Sequence, residues 1–205
     1  MRVVHLETGR RLYGGALQVA YLLQGLARGP GEHVLVCPPD SGVARAAGDA
    51  PAATHAIPVA GDLDPGLVWR LAGILRREGA DLLHVHSRRG ADYWGGLAAR
   101  AAGVPAVLTR RVDNPERPWA ARRKYRLYRR VVCISHGVRQ VLARAGVDPA
   151  HTRVIPSAVD TGRFRPRPEA RDWLGAEFGV PAGAPVVAMA AQLIPRKGHH
   201  TLLRA

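Results

Sequence analysis

The sequence predicts an α/β fold: a Rossmann-like parallel sheet flanked by helices, followed by the first strand–helix unit of a second Rossmann-like domain. Three observations predict it. Short apolar runs alternate with stretches of helical periodicity from Arg2 to Pro156. Five or six such runs read as strands before residue 160, and no short internal repeat points to a solenoid. Beyond residue 160 the texture changes to proline-punctuated chain, after which one apolar run and one helix start follow.

Arg2 to Glu7 reads as the first strand, and TGRRLYGG as a loop ending at Gly14 and Gly15. Ala16 to Ala27 supplies Leu17, Ala20, Tyr21, Leu23 and Leu26 at helical spacing. His33 to Cys37 is the second strand, stopped by Pro38 and Pro39. Thr54 to Val59 reads as a short strand, and Leu67 to Arg77 as a helix with Leu67, Leu71 and Leu75 in register. Asp81 to His86 is a strand, Tyr93 to Ala102 a helix, and Val104 to Thr109 the next strand. Val131 to Ile134 is a β-branched run suited to a buried strand. Ser135 stands at an N-cap position, Val138, Val141, Leu142 and Ala145 recur with helical period, and Gly146 is placed as the C′ residue. Arg153 to Ile155 is the last strand of this domain. A short helix from about Glu169 to Phe178 lies in the connection. A strand over Pro185 to Ala191 and a helix from Gly198 open the second domain. The division is expected at residues 1–165 and 166–205, with the chain cut off early in its second domain, since one strand and half a helix cannot bury a core.

Composition excludes several classes. With 47% apolar residues the chain is globular, not disordered. No apolar run is long enough to span a bilayer, and MRVVHLETGRR lacks the apolar region of a signal peptide, so a cytoplasmic location is the expectation. Cys37 and Cys133 sit in apolar runs without metal-type spacing and read as buried thiols. The net charge of +14 is mostly arginine and suits an anionic partner: nucleic acid, a phosphorylated ligand or a lipid surface. An arginine-rich composition with many solvated side chains accounts for the charge equally well.

Gly14 and Gly15 lie between a strand and a helix, where backbone can approach a phosphate. No G-x-G-x-x-G is present, and Gly15 stands where a P-loop needs Lys. His84 and His86 share a strand face, but no third metal ligand is evident. Asp62-Leu63-Asp64 reads as an ordinary turn. Arg111, in Thr109-Arg110-Arg111, follows a strand and is always charged, so it cannot be a base but could clamp a phosphate or an acidic sugar. RPWAARRKYRLYRR, Arg117 to Arg130, is the densest basic run. As a helix it puts Tyr125, Tyr128 and Val132 on one side and spreads Arg122, Arg123, Arg126, Arg129 and Arg130 over the rest. Trp119 and the tyrosines suit a membrane interface and the arginines anionic headgroups; nucleic acid would also be attracted, and a solvated helix with its aromatics in the core fits as well.

A resemblance adds to these readings. The strand ending at Ser135, its helix, and Val154-Ile155-Pro156-Ser157-Ala158-Val159-Asp160 resemble the end of the N-terminal domain of family 4 glycosyltransferases, which have the GT-B fold. Ser157-Ala158 stands where the family usually has Asn-Gly. The stretch AQLIPRKG, Ala191 to Gly198, is similar to the family's G-R-L-x-P-x-K-G, with Gln192 at the Arg position. The resemblance implies transfer of a sugar from a nucleoside diphosphate sugar to a glycan or lipid-linked acceptor, with retention, without metal or other cofactor, and with no nucleic acid partner. It implies that Gly14, Gly15, Gln192 and Lys197 face the donor diphosphate. It implies that His86 and Arg111 serve the reacting groups, Arg111 standing where many relatives have His, and that Ser135 lines an acceptor- or donor-side loop. Cell-envelope polysaccharide or lipopolysaccharide synthesis, at the inner face of the membrane, is the expected setting, and the 205 residues alone are expected to be inactive. Two other classes stay open: a non-catalytic acceptor- or lipid-binding domain, and a nucleic-acid-binding α/β protein.

Overall fold

The computed structural model describes residues 1–87, 90–181 and 183–205. It contains two compact units, Met1–Ala158 and Val159–Ala205. The first is a seven-stranded sheet, parallel throughout, built from β1 (Arg2–Leu6), β2 (Glu32–Cys37), β3 (Ala53–Ala56), β4 (Leu82–Val85), β5 (Ala106–Arg110), β6 (Arg130–Cys133) and β7 (Thr152–Val154). The spatial order is β3-β2-β1-β4-β5-β6-β7. The chain winds outward from β1 to β3, then crosses back to place β4 on the other side of β1. That reversal opens a crevice beyond the carboxyl ends of β1 and β4, the place where ligands bind in such sheets.

The helices of this unit are α1 (Gly14–Leu26), α2 (Gly42–Ala47), α3 (Gly66–Arg77), α4 (Ala91–Ala102), α5 (Pro118–Tyr125) and α6 (His136–Arg144). The larger core joins Val4, Leu6, Val34, Val36, Leu83, Val85 and Leu108 of the strands to α3, α4, α5 and α6. Leu67, Leu71 and Leu75 are buried there as their spacing requires, and each contributes about 1.5–3 kcal/mol of apolar burial. Gly95 lets α4 lie close to the sheet, because a Cβ there would meet Val85 Cγ2 at 3.0 Å. A smaller core gathers Leu35, Cys37, α1 and α2. Cys37 and Cys133 are both buried free thiols.

Several local expectations are corrected. The stripe of α1 that is buried is Ala16, Val19, Ala20 and Leu23, whereas Leu17, Tyr21 and Leu26 are half-buried. Helix α2 has no counterpart among the elements expected from sequence. It has only six residues, and its start is fixed by Ser41, whose hydroxyl accepts from the Ala44 N–H, a tertiary placement more than a periodic one. The basic run is not one helix: α5 ends at Tyr125, the chain turns through Arg126–Arg129, and Arg130 begins β6. Tyr125 and Tyr128 go into the core, which is why the helix must stop and turn there. Around α6 the expectations hold. The Ser135 hydroxyl accepts from the Val138 N–H, and Gly146 has φ of 79°. Ala158 is not in the left-handed region. Its N–H and C=O instead form a reciprocal pair with the Gln18 amide of α1, each at 2.7 Å.

The second unit carries α7 (Ala170–Phe178) and α8 (His199–Arg204). Trp173 and Phe178 pack edge to face, and Gly179 closes α7 in the left-handed conformation. The strand expected over Pro185–Ala191 is not formed among the described residues. A strand needs a neighbour to take its N–H and C=O groups, and among the described residues of this unit no second strand is present to do so.

Candidate functional site

The crevice at the carboxyl ends of β1 and β4 is built from four short stretches. The chain leaving β1 brings Glu7, which is buried. Its Oε1 accepts from the Ser87 hydroxyl at 2.6 Å and the Gly9 N–H at 2.9 Å. Ser87 in turn accepts from the Thr8 N–H at 2.6 Å. These bonds tie the start of the glycine loop to the end of β4. The loop is also propped from below by the helix the sequence did not reveal. The Gly42 N–H donates to the Arg10 carbonyl, and a Cβ on Gly42 would meet the Leu12 backbone at 2.7 Å.

The loop ends in the first turn of α1, at Gly14 and Gly15. No side chain caps this terminus and no acidic residue lies in the first turn. Its N–H groups and positive dipole end are therefore available to an anion. Gly15 packs on Arg111, whose Cδ lies 3.4 Å from where a Cβ would stand, while Gly14 has nothing within 4 Å. Arg111 is half-buried and its Nε is enclosed, with no hydrogen-bond partner among the described residues. Burial lowers its proton affinity and the nearby Glu7 carboxylate partly restores it.

Beneath the crevice lies a feature only partly legible in the sequence. His84 and His86 of the strand end meet His5 of β1 and His33 of β2. His5 Nδ1 faces His86 Nε2 at 3.1 Å, and His5 Nε2 faces His33 Nδ1 at 3.1 Å. His84 lies tilted against His86 with ring centres 3.9 Å apart, and its Nε2 bonds the Thr109 hydroxyl at 2.7 Å. His86 Nδ1 is buried and has no partner among the described residues. Burial pushes His5 down to about 3 and His84 to about 4, and holds His86 well below its ordinary range; neighbouring histidines add to this at His5 and His86, and Arg111 at His84 and His86. All three are neutral at pH 7. The third imidazole missing from the sequence reading is His5, and the three bring ring nitrogens within 4.8 Å of one another. Its signal was strand parity: His5 pairs in register with His84.

The other predicted residues fall into separate places. The Ser135 hydroxyl is engaged as the cap of α6 at the end of β6. Arg122, Arg123, Arg126 and Arg129 are all exposed, and so is Trp119 at 67%. Trp119, Tyr93 and Arg123 line a groove of about 360 Å³ with Glu116, Ala120 and Lys124. Its floor is fixed by ion pairs: Lys124 bridges Asp92 at 2.7 Å and Glu116 at 2.9 Å. Glu116 also pairs with Arg110, which is buried and donates to the carbonyls of Val112 and Asn114. Burial pushes the Glu116 carboxyl up, but Lys124 and Arg110 together hold it below the usual range. In the second unit, Gln192 and Lys197 are exposed, Lys197 at the end of a 3₁₀ turn, Pro195–Lys197, that leads into α8. Asp64 of the Asp-Leu-Asp turn is structural, accepting from the Ala60 N–H and pairing with Arg70. No helix among the described residues is long and apolar enough to cross a membrane.

Comparison with known proteins agrees with this fold. D-inositol 3-phosphate glycosyltransferase of Mycobacterium tuberculosis is 31% identical over 173 residues, covering 70% of this chain and 34% of the relative. Alpha-maltose-1-phosphate synthase of Mycolicibacterium smegmatis is 29% identical over 149 residues, covering 62% of this chain and 37% of the relative. The chain thus spans about a third of the length of these curated relatives. Among solved structures, Anabaena Alr3699/HepE in complex with UDP superposes with a TM-score of 0.81 at 18% identity, over 100% of this chain and 57% of that one, which shows the shared fold. The model of Glycosyltransferase Family 4 matches residues 13–163, and the chain belongs to that family.

Proposed function

We propose that this chain is the acceptor-side domain, with the opening of the donor-side domain, of an enzyme that moves a sugar from a nucleoside diphosphate sugar to a glycan or lipid-linked acceptor with retention. The setting we propose is cytoplasmic, at the inner face of the cell membrane, in cell-envelope polysaccharide or lipopolysaccharide synthesis. One observation carries the reading: the uncapped N-terminus of α1, the Arg111 guanidinium with its unpartnered Nε, and the unpartnered Nδ1 of His86 belong to one switch-point edge. Two enclosed polar atoms without partners, beside a free helix terminus, suit a ligand bearing both hydroxyl and anionic groups. The Anabaena neighbour was solved with UDP, and one relative is named for inositol 3-phosphate. Both ligands carry phosphate, the charge that Arg111 and the α1 terminus favour.

The reaction places its largest demand on the leaving diphosphate, which gathers negative charge as the sugar departs. Lys197 supplies a full charge and Gln192 a neutral hydrogen bond to it, while Gly14 and Gly15 offer backbone N–H groups. His86, neutral at pH 7, accepts from an acceptor hydroxyl, and Ser135 borders the acceptor- or donor-side loop. We read the chemistry as needing neither metal nor other cofactor. The test is nucleoside diphosphate release by the complete enzyme that carries this sequence. Lys197→Ala should raise the barrier by about 2–4 kcal/mol, in the range of other oxyanion donors. Its thermal melt should be unchanged, because Lys197 is exposed. Full turnover by both Lys197→Ala and Arg111→Ala would refute the site, and transfer by residues 1–205 alone would refute the domain assignment.

The exposure of Trp119 and of all four predicted arginines favours a second element of this reading, contact with anionic lipid through Arg122, Arg123, Arg126 and Arg129. Co-sedimentation with anionic vesicles should weaken on charge reversal at Arg123 and Arg126, most at low salt. Equal sedimentation with neutral vesicles would return these side chains to ordinary solvation.

A further inference from the structure

Three of the four clustered histidines form a series. His33 Nδ1 meets His5 Nε2 and His5 Nδ1 meets His86 Nε2, each at 3.1 Å. The series begins beside Gly31 and the amino terminus, and ends at His86 under the ligand edge. A neutral imidazole has one N–H and one lone pair. Linked in this way, the three rings have only two consistent arrangements with both hydrogen bonds made. Either every ring carries its proton on Nδ1, or every ring carries it on Nε2. The choice at one end is therefore the choice at the other.

The two arrangements differ at His86 Nδ1, which is enclosed and has no partner among the described residues. The first leaves a buried N–H there with no acceptor, the kind of orphan that folded proteins avoid most strongly. It also points a positive hydrogen into the field of Arg111, the cation whose presence already disfavours protonation of His84 and His86. The second leaves a lone pair at that position, which the same cation stabilises. At the far end the amino terminus opposes this preference, but His33 Nε2 is not an enclosed orphan atom, so an N–H there is not stranded.

We propose that His5 and His33 are positioning residues that fix the tautomer of His86, so that its enclosed Nδ1 carries a bare lone pair. The use of that lone pair rests on the function proposed above; the tautomer order does not. A histidine left to itself exchanges between two tautomers and offers a lone pair on a given nitrogen only part of the time. Coupling to two further rings removes that exchange before any ligand arrives.

The test is long-range ¹H–¹⁵N correlation spectroscopy of the 205-residue chain labelled on histidine, at pH 7. His5, His33 and His86 should each show a protonated Nε2 and a bare Nδ1. His5→Phe, which keeps a buried ring and removes both links, should move the His86 Nδ1 resonance from the bare position toward the averaged one. His33→Phe, at the far end, should move it in the same direction by less. A proton on His86 Nδ1, mixed tautomers in the unaltered chain, or an unmoved His86 resonance in folded His5→Phe would each overturn the proposal. Should His5→Phe fail to fold, the unaltered spectrum and His33→Phe decide it. Turnover does not enter these readouts. Full turnover by a His86→Ala enzyme would refute the role given to His86 and leave the tautomer order standing.

Discussion

Gly15→Ala separates a glycine kept for packing from one kept for a ligand. Gly15 is the second residue of α1, with helical backbone and no positive φ, so alanine is conformationally permitted. The new Cβ would stand 3.4 Å from Arg111 Cδ, a close contact with the stem of a long side chain that can yield by a few tenths of an ångström. Against that small cost, alanine gains up to about 1 kcal/mol in helix propensity, less in the first turn than in the interior. The domain should therefore be stabilised by about 0.5 kcal/mol. Gly14→Ala, with nothing within 4 Å, should give the same gain without the contact. Ligand contact should move the other way. If the backbone here approaches a phosphate, the added methyl keeps it away and forfeits a charge-assisted hydrogen bond, about 1.5–3 kcal/mol. That is roughly a 10- to 150-fold loss in kcat/KM for the complete enzyme. The assays are urea unfolding of residues 1–205 and donor turnover of the whole protein. Loss of more than about 1 kcal/mol in stability would mean that Arg111 cannot yield, and unchanged turnover would mean that no ligand approaches Gly15.

Two further outcomes follow from the buried polar groups. Arg110→Met should destabilise the domain by about 3 kcal/mol, the lower end for a broken buried pair, because Lys124 still holds Glu116; a loss under about 1 kcal/mol in urea melts would show that the pair contributes nothing net. Stability should also fall as pH drops from 6 to 5. The unfolded chain protonates His5, His84 and His86 near their ordinary 6.5, while the folded domain keeps them neutral, with His5 near 3, His84 near 4 and His86 well below its ordinary range. The unfolded state thus binds more protons in this window, at about 1.4 kcal/mol per pH unit for each histidine, or about 4 kcal/mol per unit for three. A slope below about 1.4 kcal/mol per unit would mean that the cluster is hydrated and protonated in the fold.

The parallel sheet was legible because each strand carries its own apolar run and each long helix its own period. Leu67, Leu71 and Leu75 needed no tertiary information to be recognised as core. What escaped was decided by partners distant in the chain. Helix α2 is too short to show a period, and its role appears only where Gly42 meets Leu12. Tyr125 and Tyr128 fit a continuous basic helix by spacing, yet the turn that buries both needs the floor that Asp92 and Gly96 provide; the Tyr128 hydroxyl donates to the Asp92 carbonyl at 2.7 Å. The apolar run at Val186 reads as a strand locally, but without a neighbouring ladder in its unit it has nothing to pair with.

The histidine series shows why the same sequence can be plain about fold and reticent about chemistry. On β1, Val4 and Leu6 face the larger core, and His5 between them must face the other way. On β4, Leu83 and Val85 do the same, which turns His84 and His86 to the face that His5 occupies. Alternation alone therefore assigns all three to one side of the sheet. It does not say that β1 and β4 are neighbours, since they are separated by two strands in sequence and adjoin only through the crossover that also creates the crevice. The reversal that makes a binding edge is the same event that brings His5 under it. A polar row at this position costs the domain stability in acid, and an apolar row would have been simpler to bury. The enclosed Nδ1 of His86, without a partner among the described residues, stands at the end of the row nearest Arg111 and Gly15.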